Sequence, residues 1–153
     1  SSRLSMEIRE KMGLAYYVQA APEHYTDSGY LVAAAGIPHD KLNIVSSKII
    51  DMLHKIKDKG FSSREIKEAK EFVRGSMALS FESSDEVANY YAAQALLFKK
   101  IKTPEEELRR IEAVSGDDIM RVAKELLRLT KINLAVVGPH RETGVYEGLL
   151  AAL

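Results

Sequence analysis

The chain has 153 residues, of which 46% are hydrophobic and 29% are charged, and its 22 basic residues balance its 22 acidic residues. The absence of cysteine excludes thiol nucleophiles, Fe–S clusters and cysteine-ligated zinc, the zero net charge lacks the basic excess typical of nucleic-acid-binding domains, and no apolar run is long enough to cross a membrane. Because a chain of this length can bury roughly 70% of its unfolded surface, we expect one soluble, cytoplasmic domain over residues 1–153 that contacts neither nucleic acid nor membrane.

The first predicted element is a helix over residues 2–12. Leu4, Ile8 and Met12 recur at helical spacing and form one apolar stripe, which we expect to be buried. Gly13 follows the stripe, and a glycine in this position is a typical end of a helix.

A β-hairpin is predicted next. Residues 14–20 show the alternation of a strand, with Tyr16 on one face and Tyr17 on the other. A loop containing Pro22 and the turn-forming residues 27–29 leads to an apolar run at residues 30–37. The two runs predict adjacent antiparallel strands.

Four or five helices follow, and each has an apolar stripe together with a capping signal at its start. The capping residues are Asp40, Ser62 with Glu65, Ser83 with Glu86, Thr103 with Pro104 and Glu106, and Ser115 with Asp118. The helix after Ser83 continues its apolar pattern through Leu97 and Phe98, whereas residues 99–102 and 105–107 are interpreted as solvated, charged helix ends. Residues 132–137 predict a third strand. This order indicates an α+β fold, an antiparallel sheet packed with several helices.

The number of strands is small for an independent sheet. Three strands leave edges with unpaired backbone groups, so we expect the chain to self-associate. Residues 1–6 contain neither a start methionine nor the apolar region of a signal peptide. We therefore expect that the N-terminus is truncated and that a piece of the sheet is missing.

Metal ligands and nucleophiles have no recognisable pattern. The four histidines, His24, His39, His54 and His140, lie in unrelated segments, and no H-x-x-E-H or H-E-x-x-H motif is present. No G-x-S-x-G motif exists, and Ser76 lies inside a helical pattern. We expect no metal bound by this chain.

One stretch is more specific. Residues 2–16 read S-R-L-x-x-E-I-R-E-K-x-G-L-A-Y, and shorter matches follow in a fixed order at residues 27–29, 65–76, 111–119 and 134–139. Together they resemble the C-terminal domains of the pitrilysin/insulinase family of zinc metallopeptidases, the inverzincins, which includes mitochondrial processing peptidase and its bacterial relatives. The resemblance extends over nearly the whole chain.

The resemblance implies a role for Arg9 and Tyr16. In this family an arginine and a tyrosine at these positions face the zinc site of another domain across an enclosed chamber. By analogy, Tyr16 would donate to the oxyanion of a peptide under attack, and Arg9 would hold a substrate carbonyl. The family's zinc motif is absent here, so zinc would lie in a missing N-terminal domain or in a partner subunit, and this chain alone should be inactive.

Other interpretations stay open. By periodicity alone, Arg9 is a solvated helix residue and Tyr16 belongs to the core or to an edge strand. Some relatives keep the fold as structural subunits without zinc, so a non-catalytic structural or interaction subunit is the alternative function. A third possibility is a helical interaction module, which the predicted hairpin disfavours.

Overall fold

The computed structural model describes residues 2–128 and 131–139. This part of the chain contains a π-helix (Ser5–Lys11), strands β1 (Tyr17–His24) and β2 (Gly29–Gly36), a 3₁₀ turn (His39–Lys41) and five α-helices. The α-helices are α1 (Leu42–Lys59), α2 (Ser63–Ser80), α3 (Ser84–Leu97), α4 (Pro104–Ala113) and α5 (Gly116–Leu126). An antiparallel sheet with several helices confirms the predicted α+β class.

The first helix is wound more widely than an α-helix. The Met12 N–H donates to the carbonyl of Glu7, five residues back, and the Leu14 N–H donates to the carbonyl of Ile8. Gly13 ends the helix as predicted, in the left-handed region with φ of 63°. Leu4 and Ile8 are buried, but Met12 is exposed. Met12, predicted to share this stripe, lies at the C-terminal cap of the helix instead.

The hairpin forms with β1 shifted toward the C-terminus. Strand pairing runs from Tyr17 opposite Gly36 to His24 opposite Gly29. The strand starts three residues later than predicted, since the Leu14 N–H is still used to close the preceding helix. It includes Pro22, which was predicted to lie in a loop. Pro22 has no N–H, and proline is tolerated in edge strands.

The chain divides into two compact units, and residues 60–119 form the second. The first unit contains the buried apolar core of the described residues, which joins the π-helix, β1 and α1. Its side chains are Leu4, Ile8, Val18, Val45 and Met52. The expectation of a single domain over residues 1–153 stays a prediction.

Capping interactions in the second unit follow the sequence closely. Ser62 Oγ accepts from the Glu65 N–H at 3.3 Å, and Glu65 Oε2 accepts from the Ser62 N–H at 2.8 Å. Thr103 and Glu106 form the same reciprocal pair at the start of α4. Each pair satisfies backbone N–H groups that a helix leaves free at its N-terminus. The predicted cap signals at these two helix starts are therefore confirmed.

Three other predictions need correction. Ser83 precedes α3 but makes no side-chain cap bond. The Asp40 carboxylate lies 2.9 Å from Lys41 Nζ, within the 3₁₀ turn that precedes α1. Residues 132–137 are not a strand, because within the described chain the sheet contains β1 and β2 alone and a strand requires a paired neighbour.

No helix among the described residues is long and apolar enough to cross a membrane. His140 and the rest of the C-terminal tail, residues 140–153, lie outside the described residues.

Candidate functional site

Arg9 lies on the solvent-facing side of the π-helix. Its side chain is about half exposed, and Nη2 lies 3.5 Å from Glu10 Oε1, a contact with the adjacent residue. The neighbouring residue Ile8 is fully buried in the core, so the backbone that carries Arg9 is fixed. The guanidinium therefore projects from a packed element and is accessible to a ligand.

Glu7 fixes the same helix through charge. Its carboxylate accepts a hydrogen bond from Lys11 Nζ at 2.5 Å and lies 3.8 Å from Lys48 Nζ on α1. The Lys11 hydrogen bond and charge, followed by the charges of Lys48 and Lys55, hold the pKa of Glu7 below its ordinary value. The π-helix is thus connected to α1 both by the apolar core and by an ion pair.

Tyr16 lies in the short connection between the π-helix and β1. Its backbone N–H donates to the carbonyl of Gly36 at 2.8 Å, which attaches this residue to the end of β2. The side chain is 79% exposed, and within residues 2–128 and 131–139 its hydroxyl has no hydrogen-bond partner. The hydroxyl is available to an external acceptor.

Tyr17 occupies a different position. Its ring lies across Gly36 on the paired strand, where a Cβ on the glycine would collide with the ring. The ring covers the backbone of β2 and is half exposed. The two adjacent tyrosines therefore have different surroundings.

Arg9 and Tyr16 belong to the same compact unit, on consecutive segments joined by the turn at Gly13. Among the described residues no hydrogen bond joins the two side chains. Because both side chains are exposed, the guanidinium of Arg9 and the hydroxyl of Tyr16 can each donate a hydrogen bond to a ligand. The arrangement is that of a surface that can contact a ligand, not of a complete catalytic centre.

The described histidines do not form a metal site. His24 ends β1, His39 opens the 3₁₀ turn and His54 lies on α1. No group of three His, Asp or Glu side chains with the geometry to hold a metal ion occurs in the described part of the chain. These residues do not fit a zinc ion, which in proteins takes three or four such ligands.

Sequence reasoning missed a polar clamp in the second unit. The buried side chain of Gln94 accepts from the Lys102 N–H at 2.9 Å and donates from Nε2 to the Lys102 carbonyl at 3.0 Å. Leu97 and Phe98, which continue the apolar pattern of the sequence, are exposed. The signal was a glutamine within the apolar second half of α3, because a buried amide requires hydrogen-bond partners.

The sequence of this chain is similar to those of known proteins. Residues 1–73 match the profile of the peptidase M16 inactive domain, and this segment includes Arg9, Tyr16 and the whole hairpin. The uncharacterised zinc protease YmxG of Bacillus subtilis is 33% identical over 139 residues, which cover 91% of this chain and 34% of that protein. Residues 1–73 are a peptidase M16 inactive domain. The predicted resemblance to zinc metallopeptidases is thereby confirmed.

A second similar sequence and a similar crystal structure support this assignment. An uncharacterised zinc protease of Mycobacterium bovis is 34% identical over 140 residues, covering 92% of this chain and 32% of that protein. The crystal structure of a protease from Helicobacter pylori superposes with a TM-score of 0.74 at 25% identity, over 84% of this chain and 31% of that one. The present M16 chain thus spans about a third of the length of the relatives it matches.

Proposed function

We propose that this chain is the non-zinc, C-terminal part of a zinc endopeptidase that cleaves extended peptides in an enclosed chamber. The observation that supports the proposal is the match of residues 1–73 to the inactive domain of the family, with Arg9 and Tyr16 exposed on that segment. In this proposal the chain contributes groups that contact the substrate.

Tyr16 is proposed to donate a hydrogen bond from its hydroxyl to the carbonyl oxygen of the scissile peptide as negative charge develops there. A donor that is already in place at a developing oxyanion is worth about 10²–10³ in rate. Arg9 is proposed to donate to a second carbonyl of the extended peptide and so to fix the register of the substrate. A guanidinium suits this task because it presents several donors in one plane.

Zinc is assigned to another part of the enzyme. The described residues do not fit the ion, whereas the relatives are named zinc proteases. We propose that an N-terminal domain or a partner subunit holds it and supplies the activated water.

The test uses the full-length protein, or the reconstituted subunit pair, with an extended peptide substrate. We expect Tyr16→Phe to lower kcat/KM by about 10²-fold, mainly through kcat, because the lost donor acts on the transition state. We expect Arg9→Ala to raise KM by about tenfold, because the lost contacts hold the bound substrate.

Two matched variants serve as controls. Tyr25→Phe removes the hydroxyl of an exposed tyrosine at the far end of the hairpin, and Arg74→Ala removes an exposed arginine from α2. Both should retain wild-type kcat/KM. Unchanged kinetics in Arg9→Ala and Tyr16→Phe would contradict the proposed roles. Together with the absence of an H-x-x-E-H motif from the whole assembly, that result would favour the non-catalytic structural subunit.

A further inference from the structure

The end of α3 presents an unusual apolar surface. Four large apolar side chains within six residues are exposed, including Leu96 at 84% and Phe98 at 63%. We call this surface, residues 96–101, the α3-end patch; its apolar side chains are Leu96, Leu97, Phe98 and Ile101. Exposed apolar side chains that cluster in this way mark a contact surface.

The α3-end patch is held in a fixed shape. Gln94 is hydrogen-bonded through both its amide nitrogen and its oxygen to the backbone of Lys102. These bonds join the two ends of the loop. Thr103 then starts α4 with a complete capping pair. Fixing the loop in advance lowers the entropy lost when it binds a partner.

The patch also carries unbalanced positive charge. Lys99 and Lys100 make no ion pair within the described part of the chain. Lys102, by contrast, lies 3.6 Å from Glu107. A partner surface should therefore offer apolar contacts beside free carboxylates.

Exposed apolar side chains also lie on α2 of the same unit. Phe72 and Leu79 are 75% and 70% exposed, and residues seven apart lie on the same side of a helix. Gly75 lies between them, and a Cβ built there would meet no heavy atom within 4 Å. We call Phe72, Gly75 and Leu79 the α2 face.

Glycine at position 75 makes the helix less stable than alanine would. No contact within the described chain accounts for it. The missing side chain leaves open space between two exposed apolar side chains. Glu82 and Glu86 follow the α2 face in the sequence, are exposed, and make no ion pair among the described residues.

We propose that the α3-end patch of one copy docks on the α2 face of a second copy of this chain. Phe98 fills the open space at Gly75, and Lys99 and Lys100 pair with Glu82 and Glu86 of the other copy. Both halves of the contact are present on one molecule, and their charges are opposite. The zero net charge of the chain means that no overall repulsion opposes assembly.

The test is the mass of the chain in analytical ultracentrifugation at low salt over a range of concentrations. We expect the weight-average mass to rise above the 17.1 kDa of one chain. Phe98→Ser should weaken association by about tenfold or more, since a buried aromatic anchor is a typical hot spot. Lys99→Glu/Lys100→Glu should weaken it as well, and so should Glu82→Lys/Glu86→Lys.

The decisive sample is an equimolar mixture of the two charge-reversed proteins. The mixture should restore association, because each protein then offers the charge that the other lacks. Lys67→Glu, on α2 but outside the docking surfaces, is the matched control and should associate like the wild type. Circular dichroism checks that each variant is folded.

Several results would overturn the proposal. One is a chain that stays monomeric at every concentration. Another is association that none of the patch variants changes, which would indicate pairing through the edges of the hairpin. A third is binding of the wild type, but not of Phe98→Ser, to vesicles of anionic phospholipid without self-association, which would identify the patch as a membrane contact.

Discussion

At the scale of single residues, Gln94 shows how one polar side chain determines a local structure. It is the only amide side chain among those that the structure reports as buried, and both of its polar ends are bonded to Lys102. Burial of an unsatisfied amide costs more than a typical hydrogen bond contributes. The loop after α3 is therefore shaped by Gln94 and not by its own apolar residues, which remain outside.

Gln94→Ala tests this interpretation. We expect the free energy of unfolding to fall by about 1–3 kcal/mol, because the N–H and carbonyl of Lys102 lose their partner. Urea unfolding followed by circular dichroism measures the change. Asn89→Ala, an exposed amide on the same helix, should change stability by less than about 0.5 kcal/mol. Equal losses in the two variants would contradict the clamp.

At the scale of elements, the π-helix matters most for the site. It packs Ile8 into the core, ends at Gly13 and delivers the chain to Tyr16 and β1. Glu7 joins it to α1 through Lys48. A wide helix is uncommon, and short π-helical segments occur frequently at functional sites. Because Ile8 and Glu7 hold this helix in place, they also fix the position of Arg9 between them and the turn at Gly13.

The Glu7 ion pairs predict a dependence on pH. The pKa of Glu7 is lowered in the folded chain, so its contribution to stability is complete above the ordinary carboxylate pKa and is lost as the pH falls through the folded value. Glu7→Gln should lower Tm by no more than a few degrees at pH 7 in low salt, and the difference should vanish in strong acid.

Thermal unfolding of both proteins between pH 7 and pH 3 measures this difference. Glu10→Gln, an exposed neighbour on the same helix, is the control, and we expect it to leave Tm close to that of the wild type. A constant difference between Glu7→Gln and the wild type at every pH would rule out the electrostatic explanation.

At the scale of the whole chain, the two units differ in how they are packed. All five buried apolar side chains of the described residues belong to the first unit. In the second unit, residues 60–119, the apolar side chains between α2 and α4, such as Ile66, Val73 and Ile111, are only partly buried, and Lys70 Nζ donates to the Glu112 carbonyl at 2.7 Å. Burial of apolar area is the largest stabilising contribution.

Hydrogen exchange should therefore be uneven. Amides of α2 and α4 are expected to exchange about tenfold faster than those of α1, because local opening costs less where few apolar contacts are broken. Mass spectrometry of the exchanged, digested chain gives the rates for each segment. Similar protection in both units would show that they open together.

Much of the fold followed from local patterns. The capping pairs at Ser62 and Thr103 predicted two helix starts, Gly13 predicted a helix end, and the apolar run at residues 30–37 predicted β2 to within one residue. These features depend on a few neighbouring residues, so they can be predicted without a structure. The residues of the candidate site, Arg9 and Tyr16, were predicted through family resemblance. Their exposure to solvent could not be predicted from the sequence.

The sequence by itself determined the α+β class, the absence of cysteine chemistry and the family of the chain. Tertiary structure decided the width of the first helix, the start of β1 and the exposure of residues 96–101, because each depends on which backbone and side-chain groups become paired in the folded chain. Leu14 closes a helix instead of starting a strand, and residues 132–137 stay outside the sheet of β1 and β2. The periodicity of a sequence shows which residues are apolar, whereas tertiary packing determines which of them are buried or paired in a sheet.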